Sequence, residues 1–142
     1  DPHNLGAIIR SAETAGAHGA IIPKRGAAGL TAVAARASAG ALAYMPVHKA
    51  VNLSALIDTL KERGVWVFGA EADGNVGLYE ADFAGPTAIV IGSEGEGISR
   101  LIREKCDFIV SIPMRGKVNS LNASNAAAVL LFEAVRRRTR GK

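Results

Sequence analysis

The sequence predicts an α/β fold in which a mostly parallel sheet is flanked by helices. Two continuous apolar runs, Val65-Trp66-Val67-Phe68 and Ala88-Ile89-Val90-Ile91, read as strands buried on both faces, as in parallel sheets. They alternate with segments whose apolar residues recur at three- and four-residue intervals, the period of an amphipathic helix. Of the 142 residues, 49% are apolar, only 5% are aromatic and 26 are alanine, a composition suited to helices packed closely on a sheet. The length fits one ordinary domain, here without internal repeats.

Taken in order, Asn4 is placed to N-cap a helix running through Ala15, with Leu5, Ile8, Ile9 and Ala12 on one stripe and Arg10 well off it. Gly16 and Gly19 end that helix, and Gly19 to Pro23 reads as a short strand closed by proline. An alanine-rich helix is expected from Thr31 to Ala39, then a strand near Met45–Val47. Leu53 to Arg63 forms an amphipathic helix stopped by Gly64. The strand at Val65–Phe68 is followed by a looped stretch bearing Gly74, Gly77, Gly85 and Pro86, and then by the strand at Ala88–Ile91. A short helix is expected over Ser99–Lys105, a strand over Phe108–Ile112 ended by Pro113, and a final helix over Leu121–Arg138.

Composition excludes several classes of function. No apolar run approaches the roughly 20 residues of a membrane-spanning helix, and no charged-then-apolar leader opens the chain. With Cys106 alone, neither an internal disulfide nor a cysteine-based zinc site can form, and a cytoplasmic location is expected. His3, His18 and His48 lack ligand spacing, so no metal is expected. The net charge of +4 is mostly a tail effect: without Arg136, Arg137, Arg138, Arg140 and Lys142 the remainder carries −1. Such a tail suits nucleic-acid contact, or equally the favourable end of a helix dipole. A second basic group, Arg10, Lys24, Arg25 and Arg36, lies in the first third. The chain begins at Asp1 within what reads as a turn, so it is expected to be part of a longer protein.

Open parallel sheets bind ligands in loops beyond the carboxyl ends of their strands, and three such loops carry polar chemistry. Gly92-Ser93-Glu94-Gly95-Glu96-Gly97 allows close approach of backbone to a ligand. Its order is G-x-x-G-x-G, not the dinucleotide fingerprint, and its two carboxylates suit a ligand that is neutral or positive at the contact. A tight solvent turn is the plainer alternative. The segment from Ile112 to Asn125 concentrates Asn119, Ser120, Asn122, Ser124 and Asn125, more than helix capping requires, and so reads as a hydrogen-bonding surface. Asp1-Pro2-His3-Asn4 leads to Arg10, which is either a solvated arginine or a phosphate clamp.

In this order the three segments resemble the motifs of the SpoU (TrmH) family of the SPOUT superfamily, RNA ribose 2′-O-methyltransferases that use S-adenosylmethionine. The matching stretches are Asp1 to Arg10, Ile89 to Ile98, and Ile112-Pro113-Met114 through Ser120 to Ser124. The likeness spans residues 1–142 as one catalytic domain, most like the bacterial enzymes that methylate a guanosine in large-subunit ribosomal RNA. It implies a C-terminal trefoil knot, an exception to un-knotted topology, and a homodimer with the site near its interface. It also implies that Asn4, Arg10, Glu94, Ser120 and Asn122 serve catalysis. The cofactor would lie against Gly92, Ile112 and Leu121, with Gly97 and Met114 beside them. Relatives carry an upstream strand and often a small RNA-binding domain. Competing readings are a transfer-RNA enzyme of the same family, a nicotinamide-type oxidoreductase and a non-catalytic RNA-binding homologue; cofactor affinity separates the last two from the family.

Overall fold

The computed structural model describes residues 2–24, 36–93 and 95–140. They fall into two compact units, Asp1–Leu53 and Ser54–Lys142.

In the first unit, α1 (Pro2–Thr14) is followed by β1 (Ala20–Pro23), a short 3-10 turn (Ala41–Ala43) and β2 (Val47–Ala50). α1 buries Ile9 and Ala12 of the expected stripe, and Arg10 is exposed. The helix begins two residues before Asn4, with Pro2 in its first turn, where a missing N–H costs nothing. Asn4 is therefore inside the helix and is not its cap. The C-terminus closes as a Schellman motif: Gly16, at φ 81°, donates to the Glu13 carbonyl and Ala17 to that of Ala12. β1 and β2 pair in parallel from Ala20↔Val47 to Pro23↔Ala50. The second strand thus lies later than Met45–Val47, because Met45 is still bonded to the 3-10 turn through its N–H to the Ala41 carbonyl. Most of the helix expected at 31–39 lies outside the described residues; 36–37 are helical.

The second unit holds α2 (Leu53–Glu62, whose first residue closes the preceding unit), β3 (Trp66–Ala70), β4 (Val76–Gly77), a 3-10 turn (Leu78–Glu80), β5 (Thr87–Ile91), α3 (Arg100–Lys105), β6 (Phe108–Ser111) and α4 (Ala123–Arg140). Its sheet has the order β4-β6-β3-β5, with every pairing parallel. The expected single parallel sheet is thus two parallel sheets among the described residues, one per unit. α2 ends as α1 does, with Gly64 at φ 86° donating to Lys61 and Val65 to Leu60. Ser99 caps α3 by accepting from the Ile102 N–H.

The core of this unit is Phe68, Leu78, Phe83, Val110 and Leu130, all at most 1% exposed. Phe68 packs on Phe83 with ring centroids 4.7 Å apart. Leu130 brings the middle of α4 into this core, and the helix is fastened near its end by Arg138, which donates to the carbonyls of Phe83 and Gly85 at 3.0 and 2.6 Å. Glu133 is buried on the same helix and receives two hydrogen bonds from Arg136, at 2.7 and 2.9 Å. That pairing holds its carboxyl below the usual carboxylate range, against the opposing effect of burial. Two arginines of the basic tail therefore have intramolecular work.

Candidate functional site

Beyond the carboxyl ends of β3, β5 and β6 lies a cavity of about 530 Å³, within the range of small-molecule sites. Ala70, Ile91 and Val110 at or near the strand ends form its floor. Gly92, Gly97, Ile112, Met114, Ser120, Leu121 and Asn122, each expected from sequence at such a site, all line it.

The glycine loop on one side is shaped by its backbone. Ser93 and Gly97 exchange hydrogen bonds, N–H to carbonyl at 3.2 Å and 2.9 Å, which ties the two backbone to backbone. Gly95 and Gly97 have φ of 82° and 72°, where a side chain is strained. At Gly92 the constraint is contact: a Cβ would stand 2.2 Å from the Gly97 carbonyl carbon. The first and last residues of the motif therefore touch backbone to backbone. Glu96 is exposed, and Glu94 lies outside the described residues.

The other wall presents side chains. Asn119, Ser120 and Leu121 are exposed at the cavity, and Leu121 leaves 41% of its surface open. Asn122 N-caps α4: its Oδ1 accepts from the Ser124 N–H at 2.9 Å and the Ser124 hydroxyl at 2.6 Å. One residue of the polar cluster is thus spent on the helix start, which explains why α4 begins at Ala123 and not at Leu121.

Glu71 was not among the residues expected from sequence. It directly follows β3 and is the single charged residue among the described lining residues. Its Oε1 accepts from the Ile98 N–H at 3.0 Å. Only its position just past an apolar strand could have flagged it, since the partner lies 27 residues away.

Asn4 and Arg10 belong to α1 of the first unit; Arg10 is exposed, as are Lys24 and Arg36, whereas Arg25 lies outside the described residues. Cys106 is half-buried, and burial first, then the neighbouring Asp107, pushes its thiol up. Its Sγ would sit 2.9 Å from a Cβ on Gly69, so it fills space beneath the sheet. Among the described residues, no cluster of three or more His, Cys, Asp or Glu could hold a metal ion, and no helix is long and apolar enough to cross a membrane.

What the arrangement can hold is a ligand gripped by backbone on one side and by amide and hydroxyl groups on the other, with a carboxylate and no cation among the described lining residues. A pyrophosphate fits poorly there; a ligand with positive charge fits well. Residues 1–132 match the SpoU rRNA methylase family. YacO of Bacillus subtilis, assigned by name to the TrmH tRNA/rRNA methyltransferases, is 51% identical over 138 residues, covering 97% of this chain and 55% of its own. The 23S rRNA (guanosine-2′-O-)-methyltransferase RlmB of Shewanella oneidensis is 49% identical over 138 residues, covering 97% of this chain and 56% of its own. The chain thus spans about half the length of these relatives. The crystal structure of the SpoU methyltransferase AviRb from Streptomyces viridochromogenes with AdoMet superimposes with a TM-score of 0.92 at 38% identity, over 99% of this chain and 58% of that one.

Proposed function

Since this chain belongs to the SpoU rRNA methylase family, we propose that it binds S-adenosylmethionine in the cavity of the second unit and methylates a ribose 2′-hydroxyl in structured RNA. The target we favour is a guanosine of large-subunit ribosomal RNA, by similarity to the RlmB enzymes. The observation that carries this reading is the cavity itself: a backbone-closed glycine loop at the strand ends, with Glu71 as the single charged residue among the described lining residues. These residues fit the cofactor. Gly92 and Gly97 present backbone to the cavity, Ile112, Met114 and Leu121 offer apolar surface, and Glu71 complements positive charge.

When bound, the cofactor supplies a methyl group carried on a positively charged sulfur. The chain's part is to align the reactants and remove one proton, and alignment alone can contribute several kcal/mol. Arg10 serves as a clamp on the target phosphate, because a guanidinium stays protonated and is a poor base; that phosphate or a bound water takes the proton. Asn4 supports the helix bearing Arg10. Ser120 orients substrate, Asn122 fixes the polar loop to α4, and Glu94 braces the glycine loop. On the same reading the C-terminal segment is knotted, the chain works in the cytoplasm, and two copies pair. Pairing is supported by Val129 and Phe132, which are 36% and 47% exposed on α4.

The test is Arg10→Ala. Methyl transfer from labelled cofactor to ribosomal RNA should be abolished while affinity for S-adenosylhomocysteine stays within about twofold, less than a lost hydrogen bond would cost. A parallel loss of cofactor binding would refute this division of labour. Transfer RNA in the same assay separates the two substrates named among the relatives.

A further inference from the structure

The cavity's one charged side chain among the described residues is tied to the glycine loop, and the tie is a built feature. Glu71 stands immediately past Ala70, the last residue of β3, and its side chain is 23% exposed. Its Oε1 accepts from the N–H of Ile98, the buried residue that follows Gly97. A Cβ on Gly97 would stand 3.1 Å from both carboxylate oxygens, so the carboxylate packs tightly against the Gly97 backbone. Arg103 approaches Oε1 to 3.8 Å and donates to Asp73 at 3.0 Å. At that distance and with one-third exposure, the Arg103 contact is weak beside the backbone bond.

The geometry points to Glu71 as the positioning residue of the cofactor loop: it holds Gly97 and Ile98, at the loop's exit, against the end of β3, so that this exit is in its binding shape before the ligand arrives. This role rests on the reading of the cavity as a cofactor site. A preformed loop spares the ligand the cost of ordering it. A carboxylate bonded to a backbone N–H is among the stronger hydrogen bonds of a folded chain.

The experiment compares the unaltered chain with Glu71→Ala and Glu71→Gln. S-adenosylhomocysteine is the calorimetric probe; it lacks the sulfonium charge, and Glu71→Gln, which removes the carboxylate charge but keeps an accepting oxygen, separates the brace from the charge. Glu71→Ala should bind about tenfold or more weakly, the worth of a lost charge-assisted bond. Glu71→Gln should stay within about threefold, because its amide oxygen can accept the same N–H. Amide exchange at Gly97 and Ile98 without ligand reads the brace directly, and should be faster in Glu71→Ala and near the original rate in Glu71→Gln. Unchanged exchange and affinity in Glu71→Ala would overturn the proposal, as would a Glu71→Gln protein as impaired as Glu71→Ala. If the unaltered chain binds no S-adenosylhomocysteine while Glu71→Ala still speeds exchange, the brace is real and the cofactor reading is what fails.

Discussion

Gly92, Ser93 and Gly97 are held together through backbone, with paired Ser93 and Gly97 bonds and a Gly92–Gly97 contact that leaves no room for a Cβ. Residues 119–122 present exposed side chains and are anchored through Asn122, whose Oδ1 caps α4. The first wall is shaped by backbone contacts and is chemically plain; the second presents exposed hydrogen-bonding side chains. A wall of backbone suits a ligand bound by close approach, and a wall of amide and hydroxyl groups suits one bound by side-chain hydrogen bonds. Substitutions should therefore act differently on the two walls.

Gly92→Ala breaks the comparison most severely. The added carbon would meet the Gly97 carbonyl carbon at 2.2 Å, and backbone on both sides leaves nothing flexible to move, so calorimetric affinity for S-adenosylhomocysteine should fall about 100-fold or more. Gly97→Ala is milder: its φ of 72° costs about 1–2 kcal/mol, so affinity should fall about tenfold in the same titration.

On the other wall, Asn122→Ala should lower stability in urea by about 1 kcal/mol through the lost cap. Asn122→Asp should restore that stability; if it also restores methyl transfer, capping is the residue's whole task. Away from both walls, Glu133→Gln serves as the reference for a purely structural effect. The Glu133 carboxyl is held below its unfolded value by Arg136, so its stabilisation is present above the unfolded pKa and disappears as pH falls through the folded one. The substitution should cost about 1 kcal/mol at neutral pH, discounted for the half-exposed Arg136, and nothing in strong acid. Ser120→Ala should change cofactor binding by no more than about threefold, since it removes one exposed hydroxyl.

The same contrast explains what could be read from the sequence. Val67 and Phe68 announce a buried strand, whereas the equally apolar Ala88–Ile91 is only half-buried at the end of its sheet; the glycines at 92, 95 and 97 announce a special loop, because that signal is local. The Asn-Ser cluster also stands out, although which residue becomes the cap depends on where α4 starts. Glu71 escapes notice because its partner, the Ile98 N–H, is brought to it by the pairing of β3 with β5. The two-residue β4 is too short for any periodicity, and Pro2, not Asn4, opens α1 because proline suits the first helical turn.

The central claim is that the cavity is a site for an S-adenosyl cofactor. Calorimetric titration of the chain with S-adenosylhomocysteine, with NAD as comparator, tests it most directly. The account predicts micromolar binding of the first and none of the second; a folded chain, judged by circular dichroism, that ignores S-adenosylhomocysteine or binds NAD as well would contradict it.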